Sequence, residues 1–221
     1  MENIELYNDD CLKILPAINK KYIIVTDPPF NIKYHYDNYK DNMEEKEYYN
    51  MLKNIIMKNP SVIIHYPEQL HKLSINLGYA PMKIVSWIYN SNTAKQHRNI
   101  AFYNIKSDFN QVKQPYKNLT DKRILKRISE GKTGCKLYDW WNINQVKNVS
   151  KDKTNHPCQM PLEVMKNIVG ILPKDYTIVD PFMGSGTTGL ACKQLDRKFI
   201  GIELDKNYYE IAKERICQNI K

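Results

Sequence analysis

Short runs rich in β-branched and aromatic residues recur along the chain, and they predict the strands of a sheet. Several of these runs are almost continuously apolar, which is typical of strands that are covered on both faces. The predicted strands cover residues 4–7, 22–26, 61–65, 83–89, 177–179 and 199–202.

Helical periodicity occupies most of the intervals between these runs. In 44–59, one stripe of the predicted helix collects the apolar residues Tyr48, Met51, Leu52, Ile55 and Ile56. The other predicted helices cover 161–172, 187–195 and 206–220. Strands that alternate with helices indicate an α/β fold, with a mostly parallel sheet and helices on both faces. The 221 residues fit one such domain.

The window 92–150 interrupts this alternation and carries most of the positive charge. It holds 12 Lys and Arg against 4 Asp and Glu, so eight of the nine net positive charges lie there. We interpret it as an inserted segment that binds a polyanion, although a solvated charged face gives the same excess. The residues expected to contact phosphates are Lys95, Arg98, Lys113, Lys117, Lys122, Arg123, Lys126 and Arg127. The aromatic candidates for stacking on bases, with core packing as their alternative, are Tyr103, Tyr116, Tyr138, Trp140 and Trp141.

The remaining composition narrows the class of protein. The five cysteines are widely spaced and form no CxxC pair, so neither a metal site nor a disulfide framework is predicted. No apolar run approaches the length of a membrane span, and the first residues lack the features of a signal peptide. We therefore expect a cytoplasmic protein without a membrane partner.

A strand, a glycine turn and a helix follow one another near the end of the chain and predict a ligand site. Asp180 ends the predicted strand, and Gly184 and Gly186 allow a ligand to approach the backbone. Glu203 ends the next strand, where its carboxylate can accept from both hydroxyls of a ribose. Gly184, Gly186 and Gly189 also fit GxGxxG, but the residues between strand and first glycine argue against a nicotinamide site.

Two motifs at opposite ends of the chain carry a family resemblance. Asp27-Pro28-Pro29-Phe30 resembles the DPP(Y/F/W) motif, and 180–188 resembles the DPFxGSGTT motif, of DNA amino-methyltransferases. Residues 6–12 resemble the GDCL segment of that family, and 156–161 resemble its HPTQKP segment. With the catalytic motif first, the chain resembles the β class. The resemblance implies a Rossmann-like, S-adenosylmethionine-dependent methyltransferase fold with a circularly permuted motif order.

The resemblance also implies roles for individual residues. Asp27, Pro28, Pro29 and Phe30 are expected to hold the target base. Residues expected to contact S-adenosylmethionine are Asp10, Cys11, Asp27, His156, Gln159, Asp180, Pro181, Phe182, Gly184, Ser185, Gly186, Thr187, Thr188, Glu203 and Leu204. Two positions depart from the motifs: Asp9 replaces a Gly, and Met160 replaces a Lys near the methionine end of the cofactor.

The residue types in the first motif suit the methylation of an exocyclic amine. The lone pair of such an amine is delocalised into the ring, so the nitrogen is a poor nucleophile. The Asp27 carboxylate and the Pro28 carbonyl can both accept hydrogen bonds from it, which localises the lone pair and aims it at the methyl group. Phe30 is expected to stack on a base that is rotated out of double-stranded DNA.

Several alternatives remain open at this point. Methylation of cytosine N4 uses the same geometry, but the similar cytosine enzymes more often carry Ser at the position of Asp27, which favours adenine N6. Cys158 follows a proline, as in 5-methylcytosine enzymes, but its motif precedes the cofactor glycines. RNA as the substrate, a non-catalytic binding module, a homodimer and a cognate restriction endonuclease are further options that the sequence does not decide.

Overall fold

The computed structural model describes residues 3–33, 41–57, 59–147, 153–155 and 158–217. Its strands are β1 (Ile4–Tyr7), β2 (Tyr22–Thr26), β3 (Ser61–His65), β4 (Lys83–Ile88), β5 (His97–Tyr103), β6 (Lys113–Gln114), β7 (Cys135–Lys136), β8 (Trp140–Asn142), β9 (Thr177–Asp180) and β10 (Phe199–Ile202). Its α-helices are α1 (Cys11–Ile14), α2 (Glu45–Ile56), α3 (Pro67–Leu77), α4 (Lys122–Ser129), α5 (Leu162–Ile171), α6 (Thr187–Gln194) and α7 (Lys206–Cys217).

Eight strands form one sheet in the order β1-β10-β9-β2-β3-β5-β4-β8. The pairs β1–β10, β10–β9, β9–β2, β2–β3 and β4–β8 are parallel. Strand β5 lies between β3 and β4 and runs antiparallel to both, so the other strands of this described sheet all share one direction. The predicted α/β fold with a mostly parallel sheet is confirmed.

The core divides into two apolar clusters, one on each face of the sheet. Successive residues of β2 alternate between them: Ile23 and Val25 belong to one cluster, and Ile24 belongs to the other. The first cluster is closed by α5, α6 and α7, and the second by α1, α2 and α3. A strand that is covered on both faces has to be apolar throughout, which explains the continuous hydrophobic runs in the sequence.

The structure corrects the boundaries of the basic window. His97–Tyr103 is an inner strand of the main sheet, hydrogen-bonded on both sides, and Trp140–Asn142 is its edge strand on the β4 side. The window is therefore not wholly an insertion; the part between these two strands holds the small β6–β7 pair and α4. Helix α3 was not predicted either, although Leu70, Leu73 and Leu77 form its buried stripe. No helix in the described part of the chain has the length and apolar character of a membrane span.

Candidate active site

The two sequence motifs meet because β2 and β9 are neighbours. Tyr22 pairs with Thr177 and Ile24 with Val179, in parallel register. The carboxyl ends of both strands therefore lie at the same edge of the sheet. The last residues of the two strands are joined directly: Thr26 Oγ1 donates a 2.7 Å hydrogen bond to Asp180 Oδ1. Ligands of open α/β sheets bind at such an edge.

A cavity of about 470 Å³ opens at this edge. Most of the residues that the sequence assigned to the base and the cofactor line it. They are Asp10, Cys11, Asp27, Pro28, Pro29, Phe30, Asp180, Pro181, Phe182, Gly184, Ser185, Thr187, Thr188, Glu203 and Leu204.

Asp180 is a buried carboxylate held by neutral donors. Besides the bond from Thr26, it accepts from Thr188 Oγ1 at 2.5 Å and from the Phe182 amide at 3.2 Å. Burial raises the pKa of Asp180 to about 6, against the effect of these hydrogen bonds. No cationic side chain in the described residues forms an ion pair with it. Its negative charge is therefore left for a positively charged ligand.

The glycine turn fixes the carboxylate of Glu203. The Gly184 amide donates to Glu203 Oε2 at 2.8 Å, and the Asp205 amide donates to Oε1 at 2.9 Å. Gly184 has a φ of 51°, a backbone conformation that favours glycine, and it turns its amide toward the end of β10. Each oxygen of Glu203 keeps a further lone pair for a ligand hydroxyl. Burial raises the pKa of Glu203, which the two amide hydrogen bonds oppose.

Asp10 and Cys11 form another wall of the cavity. Asp10 caps α1 by accepting from the Leu12 amide at 2.9 Å, and Cys11 is buried as the first residue of that helix. Burial raises the pKa of the Cys11 thiol to about 12. Cys11 is therefore a neutral wall residue and not a nucleophile.

Asp27 forms an ion pair with Arg98 inside the cavity. Arg98 Nη1 lies 3.3 Å from Asp27 Oδ2, and only 12% and 15% of the two side chains are exposed. The other carboxylate oxygen, Asp27 Oδ1, is buried and has no hydrogen-bond partner among the described residues. Burial raises the pKa of Asp27 to about 6; the Arg98 charge opposes this rise and the Asp180 charge adds to it. The carboxylate thus has one bonded oxygen and one free acceptor.

The Phe30 ring lies between two other groups. His65 stacks on it with ring centres 4.3 Å apart and an angle of 20° between the planes. The guanidinium carbon of Arg98 lies over the ring, 4.6 Å from its centre. Side chains alternate along a strand, so His65, next to Ile64 of the first cluster, and Arg98, two residues before Ile100 of that cluster, lie on opposite faces of the sheet. The two groups therefore approach the Phe30 ring from opposite sides. Tyr66 packs against the ring in a T-shaped arrangement, with centres 5.1 Å apart.

A chain of hydrogen bonds holds the turn that contains Pro29. The Tyr66 amide donates to His65 Nδ1 at 2.8 Å, so the proton of the neutral ring lies on Nε2. That nitrogen is 3.0 Å from the Tyr48 hydroxyl, which donates to the Pro29 carbonyl at 2.6 Å. Burial and the Arg98 charge lower the pKa of His65 to about 3, so the ring stays neutral.

Two of the expected cofactor residues do not line the cavity. A Cβ on Gly186 would meet Ala212 and Ile216 of α7, so this glycine serves close helix packing. Gln159 is buried and accepts from the Thr154 amide at 2.8 Å, which makes it a support of the loop before α5. A third, His156, lies outside the described residues.

Two residues next to Gln159 do reach the cavity. Cys158 and Met160 both line it, so the segment before α5 contributes to the wall of the site. The Met160 side chain stands where the resembling motif has a Lys, and it presents a thioether to the cavity in place of an ammonium group.

The expected DNA-contacting residues fall into two groups. Arg98 was expected on the basic surface with the others, but the structure places it in the cavity. The reason is that it belongs to an inner strand of the sheet. The others are exposed, namely Lys95, Lys113, Lys117, Lys122, Arg123, Lys126 and Arg127. Of the aromatic candidates for stacking, Tyr103, Tyr116 and Trp141 are buried, Tyr138 is half-buried, and Trp140 is exposed beneath Lys117.

Sequence reasoning missed Tyr66, His65 and Tyr48 as parts of the site. His65 ends β3, the strand next to β2, so its position at the carboxyl edge was the available signal. Tyr48 was assigned to the apolar stripe of α2, and the structure buries it there. Its hydroxyl also donates a hydrogen bond to the Pro29 carbonyl.

The family comparison agrees with this geometry. The family model described as DNA methylase, of the N6/N4 type, matches residues 22–214, which include both motifs and the strands between them. The chain belongs to the DNA methylase family. This match covers the whole carboxyl edge from β2 to β10 and most of α7.

Individual methylases are similar to the chain over different lengths. The type II methyltransferase M2.DpnII of Streptococcus pneumoniae is 40% identical over 95 residues, which are 42% of this chain. The match spans about a third of that relative's length, 34%. The solved structure of an M1.HpyAVI complex with S-adenosylmethionine has a TM-score of 0.62 and 22% identity, covering 96% of this chain and 99% of the other. The PvuII cytosine-N4-specific DNA methyltransferase has a TM-score of 0.69 and 17% identity, covering 98% and 87%. At these identities the two structures show the fold alone.

Proposed function

We propose that the protein transfers a methyl group from S-adenosylmethionine to an exocyclic amino nitrogen of a base in double-stranded DNA, with adenine N6 as the target. One observation carries the proposal. Asp27, with a buried and unpartnered carboxylate oxygen, lies in the same cavity as the glycine turn and Glu203. One cavity thus contains both an acceptor for the target amine and the groups that can bind a ribose and a cation.

The donor set of the cavity fits S-adenosylmethionine. Glu203 offers its remaining lone pairs to ribose hydroxyls, and the apolar side chains of Phe182 and Leu204 can cover an adenine ring. Asp180 is a buried negative charge without a cationic partner in the described structure, which suits the ammonium or sulfonium of the cofactor. When bound, the cofactor supplies an electrophilic methyl group on a positively charged sulfur. Asp10 and Cys11 complete the wall on the adenine side.

Asp27 orients the amine and can take up its proton. Its Oδ1 accepts an N–H of the target, and this hydrogen bond draws the lone pair of the nitrogen out of conjugation with the ring. A nitrogen that gained the methyl group, as the carbon–sulfur bond of the cofactor broke, would carry a positive charge and would have to lose a proton. A carboxylate whose pKa is raised to about 6 is a better base for that proton than an exposed aspartate.

The carbonyl groups of the Asp-Pro-Pro-Phe turn have separate roles. Pro29 O accepts the hydrogen bond of the Tyr48 hydroxyl, which holds the turn. We assign the second amine hydrogen to the Pro28 carbonyl, since Pro28 lines the cavity beside Asp27. Two acceptors on one amine fix its orientation better than one, and orientation supplies much of the rate of such a transfer.

The exposed basic residues support DNA as the macromolecular substrate. Helix α4 carries Lys122, Arg123, Lys126 and Arg127 and buries none of its residues, so all four cations are exposed to approaching phosphates. Arg123 is also paired with Asp121. Lys117 lies 3.9 Å over the exposed Trp140 ring, which adds a flat surface beside the charges. Such a surface gives salt-dependent binding that is largely independent of sequence.

Cytosine N4 is the second candidate target. It presents the same amine to Asp27, and PvuII methyltransferase, whose fold is similar, is cytosine-N4-specific. Adenine is favoured by the Asp at position 27, since similar cytosine enzymes more often carry Ser there.

Methyl transfer with nucleoside analysis tests the proposal. The protein is incubated with S-adenosylmethionine labelled on the methyl group and with DNA from cells that lack DNA methylation, and the DNA is digested to nucleosides. Label in N6-methyldeoxyadenosine is the expected result, and label in N4-methyldeoxycytidine would select the second candidate. DNA that stays unlabelled, although the protein binds S-adenosylhomocysteine, would contradict the proposed activity. Single-base mapping of the methylated positions then gives the recognised site.

A further inference from the structure

Arg98 covers both groups that the proposed reaction needs for its target base. It bonds Asp27 Oδ2 at 3.3 Å and lies over the Phe30 ring at 4.6 Å. His65 occupies the opposite face of the same ring at 4.3 Å. Phe30 therefore has no face left for a base as long as the Arg98 guanidinium stays where it is.

The free oxygen of Asp27 is closed off as well. Asp27 Oδ1 and Arg98 Nε are both buried, and neither has a hydrogen-bond partner among the described residues. Because Oδ1 is inaccessible to solvent, a target amine reaches it only after a side chain of the cavity has moved. Leaving two polar atoms buried and unsatisfied is unfavourable, so the closed arrangement is only weakly preferred and a ligand that satisfies Asp27 can compete with it.

The guanidinium resembles the ligand that the site is expected to bind. It is planar, it lies over an aromatic face, and it donates an N–H from its edge to a carboxylate. A base with an exocyclic amine has the same three properties. Arg98 thus makes in the free protein the contacts that Phe30 and Asp27 are expected to make with the base.

We propose that the Arg98 side chain is a gate: in the free protein it occupies the position that the target base is to take, and the entering base displaces it. The proposal rests on the proposed function, since it takes the base to enter at Asp27. It also adds a criterion of specificity. A base that donates an N–H from its exocyclic amine can replace the contact that it breaks, whereas thymine presents the O4 carbonyl oxygen at that position and would be repelled by the carboxylate.

The movement requires no change in the backbone. Residue 98 pairs with Trp87 of β4, and the next residue, Asn99, pairs with His65 of β3, so the strand is fixed on both sides. An arginine side chain has four rotatable bonds and can leave by rotation about them on a fast timescale. Besides Asp27, the guanidinium has polar contacts with Met160 Sδ at 3.7 Å and with the Tyr89 hydroxyl, and it lies 5.5 Å from the centre of the Trp87 ring. These contacts are also given up when the side chain rotates away.

The test compares two proteins on two DNA duplexes. One duplex carries the site identified by the mapping, and the other is identical except that the target nucleotide is abasic. Dissociation constants are measured at pH 8.5, with S-adenosylhomocysteine present, for the unmodified protein and for Arg98→Ala. We expect the substitution to tighten binding of the target duplex by about tenfold, because the base no longer competes with a charged hydrogen bond. Binding of the abasic duplex should change by less than about twofold, because nothing there displaces Arg98.

Two other results would contradict the proposal that Arg98 is a gate. Equal weakening on both duplexes would make Arg98 a phosphate contact, as the sequence first indicated. Weakening on the target duplex alone would mean that Arg98 holds the bound base. Arg123→Ala is the matched control: its side chain is 89% exposed on α4, and its loss should weaken both duplexes equally.

A second variant separates the loss of the Arg98 contacts from a loss of folding. Arg98→Met keeps an unbranched stem beside Trp87 and Phe30 but cannot bond Asp27, and we expect it to change the two dissociation constants in the same directions. If no DNA is methylated at all, the proposed function fails and the gate fails with it. If methylation is normal and either of the two contrary patterns appears, the gate alone is wrong.

Discussion

Thr26 and Asp180 are 154 positions apart in the chain, and their side chains share a 2.7 Å hydrogen bond. The bond joins the strand that leads into Asp27 to the strand that leads into the glycine turn. Both residues are buried, so the bond is shielded from water and fixes the distance between the two turns. The base-holding and cofactor-holding halves of the proposed site are therefore parts of one rigid edge of the sheet.

The rate of methyl transfer should depend on the ionisation of Asp27. Only the ionised form of Asp27 can take up the proton of the methylated amine, and burial raises the pKa of this carboxyl group from 3.8 to about 6. The ratio kcat/KM is therefore expected to rise as the pH increases through about 6. In Arg98→Met, the cation that opposes this rise is absent, so the acidic limb should move to higher pH. A pH profile measured with mapped DNA checks both statements, and a flat profile between pH 5 and 7 would contradict them.

Removing the Tyr48 hydroxyl should slow the transfer without weakening DNA binding. In Tyr48→Phe, the Pro29 carbonyl loses its 2.6 Å bond and His65 loses its acceptor, so the turn beside Asp27 is less well held. We expect kcat to fall by about tenfold, as for the loss of one buried hydrogen bond, with little change in KM for DNA.

Tyr49→Phe is the control for that experiment. Tyr49 is the neighbour of Tyr48 on α2, and its hydroxyl bonds Gln69, away from the cavity. The two substitutions remove the same atom from adjacent residues. Similar losses of kcat in both would show that the effect comes from the stability of α2 and not from the turn.

Glu203 should decide the affinity for the cofactor. In Glu203→Gln, an amide NH₂ replaces one of the two oxygens that accept from the Gly184 and Asp205 amides, and the remaining acceptors for a ribose are fewer. Binding of S-adenosylhomocysteine, measured by calorimetry, should weaken by about tenfold to a hundredfold. Glu5→Gln on the neighbouring strand β1 is the control, because Glu5 pairs with Lys20 at the surface. An unchanged affinity in Glu203→Gln would remove the assigned role.

The cations of α4 should contribute to DNA binding through phosphates. Replacing Lys126 and Arg127 by Ala is expected to weaken binding to a similar degree for different DNA sequences. It should also reduce the slope of log K against log salt by about 0.9 for each phosphate that is no longer neutralised. Lys21→Ala is the control, because Lys21 pairs with Asp175 at the amino ends of β2 and β9, away from the carboxyl edge of the sheet. Weakening that is confined to the recognised site would instead indicate contacts with bases.

Strands β2, β3 and β10 could be predicted because each one is buried on both faces. Strand β1, at the edge of the sheet, is only partly buried, and its run of β-branched and aromatic residues was the signal. The runs at 4–7, 22–26, 61–65 and 199–202 coincide with β1, β2, β3 and β10. Strand β5 was missed because His97, Arg98 and Asn99 begin it, and polar residues at the start of a run in a basic window resemble a loop. Only the pairing with β3 and β4, which involves distant residues, reveals it as a strand.

The functional residues could be predicted where a carboxylate lies at the end of a predicted strand, as Asp27, Asp180 and Glu203 do. It could not be predicted where a residue arrives from another element. Arg98 and its neighbours in the chain give no sign that its guanidinium will lie on Phe30, since that contact depends on the position of β5 beside β3.

The structure of a complex with S-adenosylhomocysteine would show whether one cavity holds both the cofactor and the target base. We expect the ribose hydroxyls to lie at Glu203, and the sulfur to lie between Asp180 and Asp27 and to face the Asp-Pro-Pro-Phe turn. A ligand bound outside this cavity, or one whose sulfur points away from Asp27, would contradict this expectation.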